Sequence, residues 1–102
     1  MLQQLSVAYQ ASSDNLYSEI DSEAVVLDLE SGVYYGLNET GNQIWQWLQQ
    51  PKTESEIIAL VLDEYDVEPE QGANDVKALL QEMTEAKIVR LVDVVEDEKA
   101  AI

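Results

Sequence analysis

The stretch Ala24-Val25-Val26-Leu27-Asp28-Leu29-Glu30-Ser31-Gly32-Val33-Tyr34-Tyr35-Gly36-Leu37 reads as two alternating runs joined by a turn. Successive side chains of a strand point to opposite faces. Val25, Leu27 and Leu29 therefore share one face, and Val26 and Asp28 the other. Glu30-Ser31-Gly32 is a hairpin link, with Gly32 suited to a positive φ. Val33, Tyr35 and Leu37 then share a face of the next strand. Upstream, Leu16, Ser18 and Ile20 alternate with Tyr17, Glu19 and Asp21, and a tight link at Asp21-Ser22 connects them to the quoted stretch. The pattern predicts an antiparallel meander over residues 16–21, 23–29 and 33–37.

Helical periodicity follows. Asn38, or alternatively Thr40, offers an N-cap for a helix over 39–49, with Ile44, Trp45 and Leu48 on one stripe and Trp47 partly off it. Pro51 ends that helix. Thr53-Glu54-Ser55-Glu56 has capping-box form and opens a second helix, about 54–65, burying Ile57, Ile58, Val61 and Leu62. Pro69, between Glu68 and Glu70, begins a third that runs to about Ala86. Its stripe is Val76, Leu79, Leu80 and Met83. The expected fold is α+β and winged helix-turn-helix-like: a three-stranded antiparallel sheet followed by a three-helix bundle, in one domain.

The ends carry weaker signals. Leu5, Val7 and Tyr9 alternate with polar neighbours, which allows a short extra strand, and Ser12-Ser13-Asp14-Asn15 is a turn cluster. Residues 88–92 alternate and allow a closing strand, whereas 93–102 read as a charged, frayed tail. Residues 16–92 are thus the expected core of the domain, with 1–13 and 93–102 peripheral.

Composition narrows the function. The 102 residues contain no cysteine and no histidine, so thiolate nucleophiles, Cys/His zinc sites and imidazole bases are excluded. No apolar run reaches the about 20 residues needed to cross a bilayer, and the N-terminus lacks signal-peptide form. These features predict a cytoplasmic protein. The formal charge is −16, and the five cations, Lys52, Lys77, Lys87, Arg90 and Lys99, are scattered. Nucleic acid and anionic membranes are poor partners for such a chain. The acidity favours solubility and, secondarily, attraction to a basic face on a partner protein.

Nothing in the sequence supports catalysis. Asp28 with Glu30, and the group Asp63, Glu64, Asp66, Glu68 and Glu70, read as solvated surface in a chain this acidic. Residues 63–68 lack the central glycine of a calcium loop. The glycines have no phosphate-cradling spacing. No cofactor is implied.

The strand over 33–37 carries the more specific expectation. If the strand over 23–29 is central, this one has an unpaired row of N–H and C=O groups. Unguarded edges recruit another strand, and Val33–Leu37 holds no proline or lysine to prevent it. Peptide capture by strand addition is one outcome. Pairing with a second copy, giving a homodimer or a self-associating winged-helix module, is another.

The run from Ala24 to Asn38, with Thr40–Leu48, Glu64-Tyr65-Asp66-Val67 and Asp75-Val76-Lys77-Ala78-Leu79-Leu80, resembles the PqqD-like peptide chaperones, or RiPP precursor recognition elements. The Glu-Tyr-Asp-Val segment looks closest to the stand-alone members of lasso-peptide pathways. The resemblance implies a non-enzymatic protein that binds a precursor's leader peptide as an added strand and delivers it to a leader peptidase or other modifying enzyme. A PqqD-type chaperone serving a radical SAM enzyme is the alternative. By the same resemblance, Val33, Tyr34, Tyr35 and Gly36 form the strand side of the groove. Asp75, Val76, Leu79, Leu80 and Met83 form the helix side, and pattern alone does not fix which flank of the helix faces it.

Overall fold

A computed structural model describes residues 4–96. The order is β1 Gln4–Ala11, β2 Asn15–Ile20, β3 Glu23–Asp28, β4 Tyr34–Leu37, α1 Glu39–Trp47, β5 Lys52–Thr53, α2 Glu54–Glu64, α3 Pro69–Glu85 and β6 Val89–Glu96.

The expected meander is present as the sheet β2-β3-β4, antiparallel throughout. Asp21 (φ 55) makes the tight β2–β3 link, and Gly32 (φ 75) allows the β3–β4 turn. Asp28 differs from its expected place on the solvated surface. Its side chain is buried and accepts from the Ser31 hydroxyl at 2.7 Å and the Ser31 N–H at 3.2 Å. The Ser31 hydroxyl holds the Asp28 carboxyl below the usual range, against the opposing effect of burial. Asp28 is thus a turn-closing acceptor rather than a surface charge.

The sheet turns Ala24, Val26 and Leu37 inward onto the helices, where all three are buried. Tyr17 stacks on Trp45, centroids 5.0 Å apart and planes 9° from parallel. The Tyr17 hydroxyl donates to Asn42 Oδ1 at 2.7 Å, and Asn42 Nδ2 donates to Glu19 and to the Ser22 carbonyl. This satisfied buried amide locks β2 to α1.

The helix signals act as read. Asn38 Oδ1 accepts from the Gly41 N–H at 2.8 Å, so Asn38, not Thr40, is the cap. Thr53 and Glu56 complete the capping box. Gly72 lies where an added Cβ would meet Leu62 at 3.0 Å, which lets α3 approach α2 closely. Ile44, Leu48, Ile57, Leu80, Met83 and Ile88 are completely enclosed and form the centre of the core.

The strands allowed at the two chain ends both form, and both run further than expected. β1 is a full strand and the centre of a second sheet, β5-β1-β6. Its eight residues pair with β6 from Gln4↔Glu96 to Ala11↔Val89. Residues 93–96 therefore continue β6 instead of fraying, because β1 satisfies their backbone groups; residues 97–102 of the expected tail lie outside the described residues. Ala8 and Ala11 are buried, and the Ala11 N–H donates to the Leu48 carbonyl at 2.7 Å. No helix among the described residues is long and apolar enough to cross a membrane.

Candidate functional site: an open strand edge beside the third helix

β3 is central and β4 lies at the sheet edge, with no strand on its outer side among the described residues. The N-terminal strand does not cover that edge, because it is committed to β5 and β6. Residue pairs in an antiparallel ladder alternate between bonded and non-bonded. The Asp28 N–H donates to the Val33 carbonyl at 3.0 Å, which sets the phase. Tyr35, opposite Val26, and Leu37, opposite Ala24, spend their backbone groups on β3. Tyr34 and Gly36, opposite Leu27 and Val25, turn theirs outward. Val33 precedes the strand, with its side chain exposed and its carbonyl already engaged.

Side chains sort the other way. Tyr35 points towards the helices and packs against the core, whereas Tyr34 is 69% exposed on the opposite face. The Tyr35 hydroxyl reaches α3 and donates to Glu82 Oε1 at 2.7 Å. Burial first, then the hydrogen bond and charge of Glu82, push the Tyr35 phenol up to about 12. Beside this bridge lies a cleft of about 230 Å³, lined by Tyr35, Gly36, Leu37, Asn38, Gly41, Leu79 and Glu82. A second hollow of about 210 Å³ continues past Leu79 along α3, walled by Ile44, Val61, Tyr65, Val67 and Val76, with Thr40, Gly72 and Asp75 at its margin.

The helix side of the expected site therefore splits into two flanks. Val76, Leu80 and Met83 repeat at i, i+4 and i+7 and are buried in the core. Leu80 and Met83 are core rather than groove; Val76 forms the floor of the second hollow. Asp75, Leu79 and Glu82 make the same repeat one residue earlier and face the cleft and hollow. Half-buried Leu79 is common to both spaces. Asp75 is exposed and accepts from Gln71 Nε2 at 2.9 Å. Glu82, Asn38, Gly41, Tyr65 and Val67 were not singled out as groove residues from sequence. Glu82 had one available signal, its position three residues beyond Leu79.

The site has a strand edge offering backbone donors and acceptors, an apolar hollow, and carboxylates at its margin. Among the described residues no group of three or more His, Cys, Asp or Glu side chains is arranged to hold a metal ion. The open edge of β4, the cleft and the hollow thus lie side by side along α3.

Residues 23–89, more than half of the chain, match the family described as coenzyme PQQ synthesis protein D (PqqD), and the chain belongs to that family. It is similar to the structure of TbiB1 in complex with the TbiA(beta) leader peptide: 29% identity, TM-score 0.71, covering 78% of this chain and 93% of that one. It is also similar to lasso peptide synthetase B1 complexed with the leader peptide: 26% identity, TM-score 0.68, covering 79% and 95%. No curated protein matches the chain.

Proposed function

We propose that this chain captures the leader segment of a ribosomally made precursor peptide as a strand added to β4, and delivers it to a leader peptidase or other modifying enzyme in lasso-peptide biosynthesis. The observation that carries this reading is the outward-turned Tyr34 and Gly36 backbone beside the α3 cleft. The likeness to two leader-bound proteins supports it. The chain acts in the cytoplasm as one binding unit and performs no chemistry itself. Tyr34 and Gly36 supply backbone bonds, while Tyr35, Leu79, Glu82 and Asp75 supply the groove wall.

Backbone pairing gives grip, and side-chain pockets give register and specificity. One buried anchor contributes about 1.5–3 kcal/mol, against an ordering cost of about 1–2 kcal/mol per residue of a disordered leader. Several anchors together are needed for a Kd between about nanomolar and micromolar. The test is fluorescence-polarisation titration with a labelled synthetic leader of a lasso-peptide precursor from the source genome. Saturable binding with slowed hydrogen exchange at the Tyr34 and Gly36 amides is expected. Binding that leaves those two amides unchanged would refute strand addition at β4.

A second reading, pairing of β4 with a second copy, is favoured by the same open edge. Sedimentation without leader distinguishes it, because a dimer dissociated by leader would place the second copy on β4.

A further inference from the structure

Strand β3 is built with its richer apolar face outward. Inward go Ala24, Val26 and Asp28; outward go Val25 and Leu27, with Leu29 exposed just beyond the strand. The register places Leu16, Leu27 and Tyr34 in one row across this face, and Ser18, Val25 and Gly36 in the next. Leu16 is 58% exposed, Ile20 74% and Val25 41%. The missing side chain at Gly36, where an added Cβ would meet nothing within 4 Å, opens a shallow depression of about 740 Å³ across Val25 to Ile20. Contiguous exposed apolar faces on soluble domains mark interaction sites.

The surroundings of this face specify what covers it. Asp21 and Glu23 border one end, and Asp14 and Glu30 lie in the turns at the other. Residues 1–51 contain no lysine or arginine at all. Like-charge repulsion disfavours a second copy of a chain carrying −16. The face is also continuous with the β4 edge, so a strand added there would extend it. We infer that the outer face of β2-β3-β4 is a docking surface for the enzyme that receives the leader, through an apolar patch on that enzyme rimmed by lysine and arginine. This inference rests on the delivery role proposed above, and adds to it a second surface, on the opposite side of the sheet from the leader cleft.

The test uses the full chain and the purified leader peptidase and modifying enzyme of the lasso-peptide pathway in the source genome, each immobilised and titrated without leader. One of them is expected to bind, less tightly as salt rises. The double variant Leu16→Thr/Ile20→Thr and the single variant Glu23→Lys should each weaken that binding tenfold or more. Both should keep wild-type circular dichroism, and leader affinity within twofold. Absence of binding by either enzyme, or unchanged binding by folded variants, overturns the inference. A wild-type dimer that Leu16→Thr/Ile20→Thr converts to monomer also overturns it, by assigning the face to a second copy. Failure of leader to bind the wild type would sink the capture reading separately, since docking is measured without peptide.

Discussion

The Tyr35 hydroxyl and Glu82 Oε1 meet at 2.7 Å, tying the edge strand to the third helix across one side of the cleft. The bridge holds β4 and α3 at a fixed spacing on that side. Burial first, and then this bridge and the Glu82 charge, raise the Tyr35 phenol to about 12 from an ordinary value of 10.0. A group whose folded pKa is raised contributes stability that is whole below the unfolded pKa and lost as pH rises through the folded one. The stability difference between wild type and Tyr35→Phe should thus be steady below about pH 10 and shrink through about pH 12. Urea unfolding across that range checks this, and the tyrosinate absorbance step missing from Tyr35→Phe should fall near 12.

Leu79 and Leu80 are neighbours in sequence with opposite duties. Leu79 is half-buried against the cleft, whereas Leu80 is 1% exposed in the core. Leu79→Asp should leave the protein folded but raise the leader Kd by about tenfold or more, equivalent to about 1.4 kcal/mol. Leu80→Ala should cost about 2–5 kcal/mol of folding stability through the cavity it leaves. Leader affinity of its folded fraction should change little. Paired urea melts and peptide titrations separate the two. Equal effects of both changes on both readouts would show that the flanks are not distinct.

The β4 ladder phase makes proline substitutions informative. The Gly36 N–H turns outward, so Gly36→Pro removes a bond to a guest strand and none to β3. Proline is tolerated on an edge strand where its missing N–H would face solvent. Gly36→Pro should fold and weaken leader binding by about tenfold, corresponding to about 1.4 kcal/mol, within the range of a lost hydrogen bond. Tyr35→Pro removes a β3 ladder bond instead and should lower the thermal unfolding midpoint markedly. Circular dichroism melts with peptide titration distinguish these outcomes.

The meander, the three helices, Asn38 as cap and the open β4 edge were all legible in the sequence. Each is encoded locally, by period-two alternation, capping residues and a turn glycine. The flank of α3 that faces the cleft was not legible, because Leu79 and Leu80 are equally apolar and one residue apart. Only the packing of α3 against β4 separates them. The burial of Asp28 was hidden for a similar reason: its charge suggested solvent, and the Ser31 hydroxyl that satisfies it acts only once the turn closes. The outward face of Val25 and Leu27 defies a count of apolar residues. Alternation gives two faces without saying which one the helices cover.

The pairing that makes the second sheet was the largest feature missed, since its two long strands come from opposite ends of the chain. β1 and β6 pair over eight residues, and periodicity within either segment carries no information about that partner. Their pairing has a direct consequence for stability. Ala8 is 1% exposed, and Val89, opposite Ala11, is 2% exposed. Removing residues 1–11 would strip the ladder from β6 and from β5, and break the Ala11 bond to the Leu48 carbonyl. At about 0.5–1.5 kcal/mol net per hydrogen bond, three or four such losses amount to about 2–6 kcal/mol. That is a large share of the about 5–15 kcal/mol available to a small domain. The truncated chain should therefore unfold at much lower urea, or lose its cooperative transition. Ala8→Asp, which places a carboxylate at an enclosed position in the intact chain, should act in the same direction. An unchanged urea midpoint in both variants would mean that β1 adds nothing to the core. Its pairing with β6 would then be incidental to the stability of the β2-β3-β4 sheet.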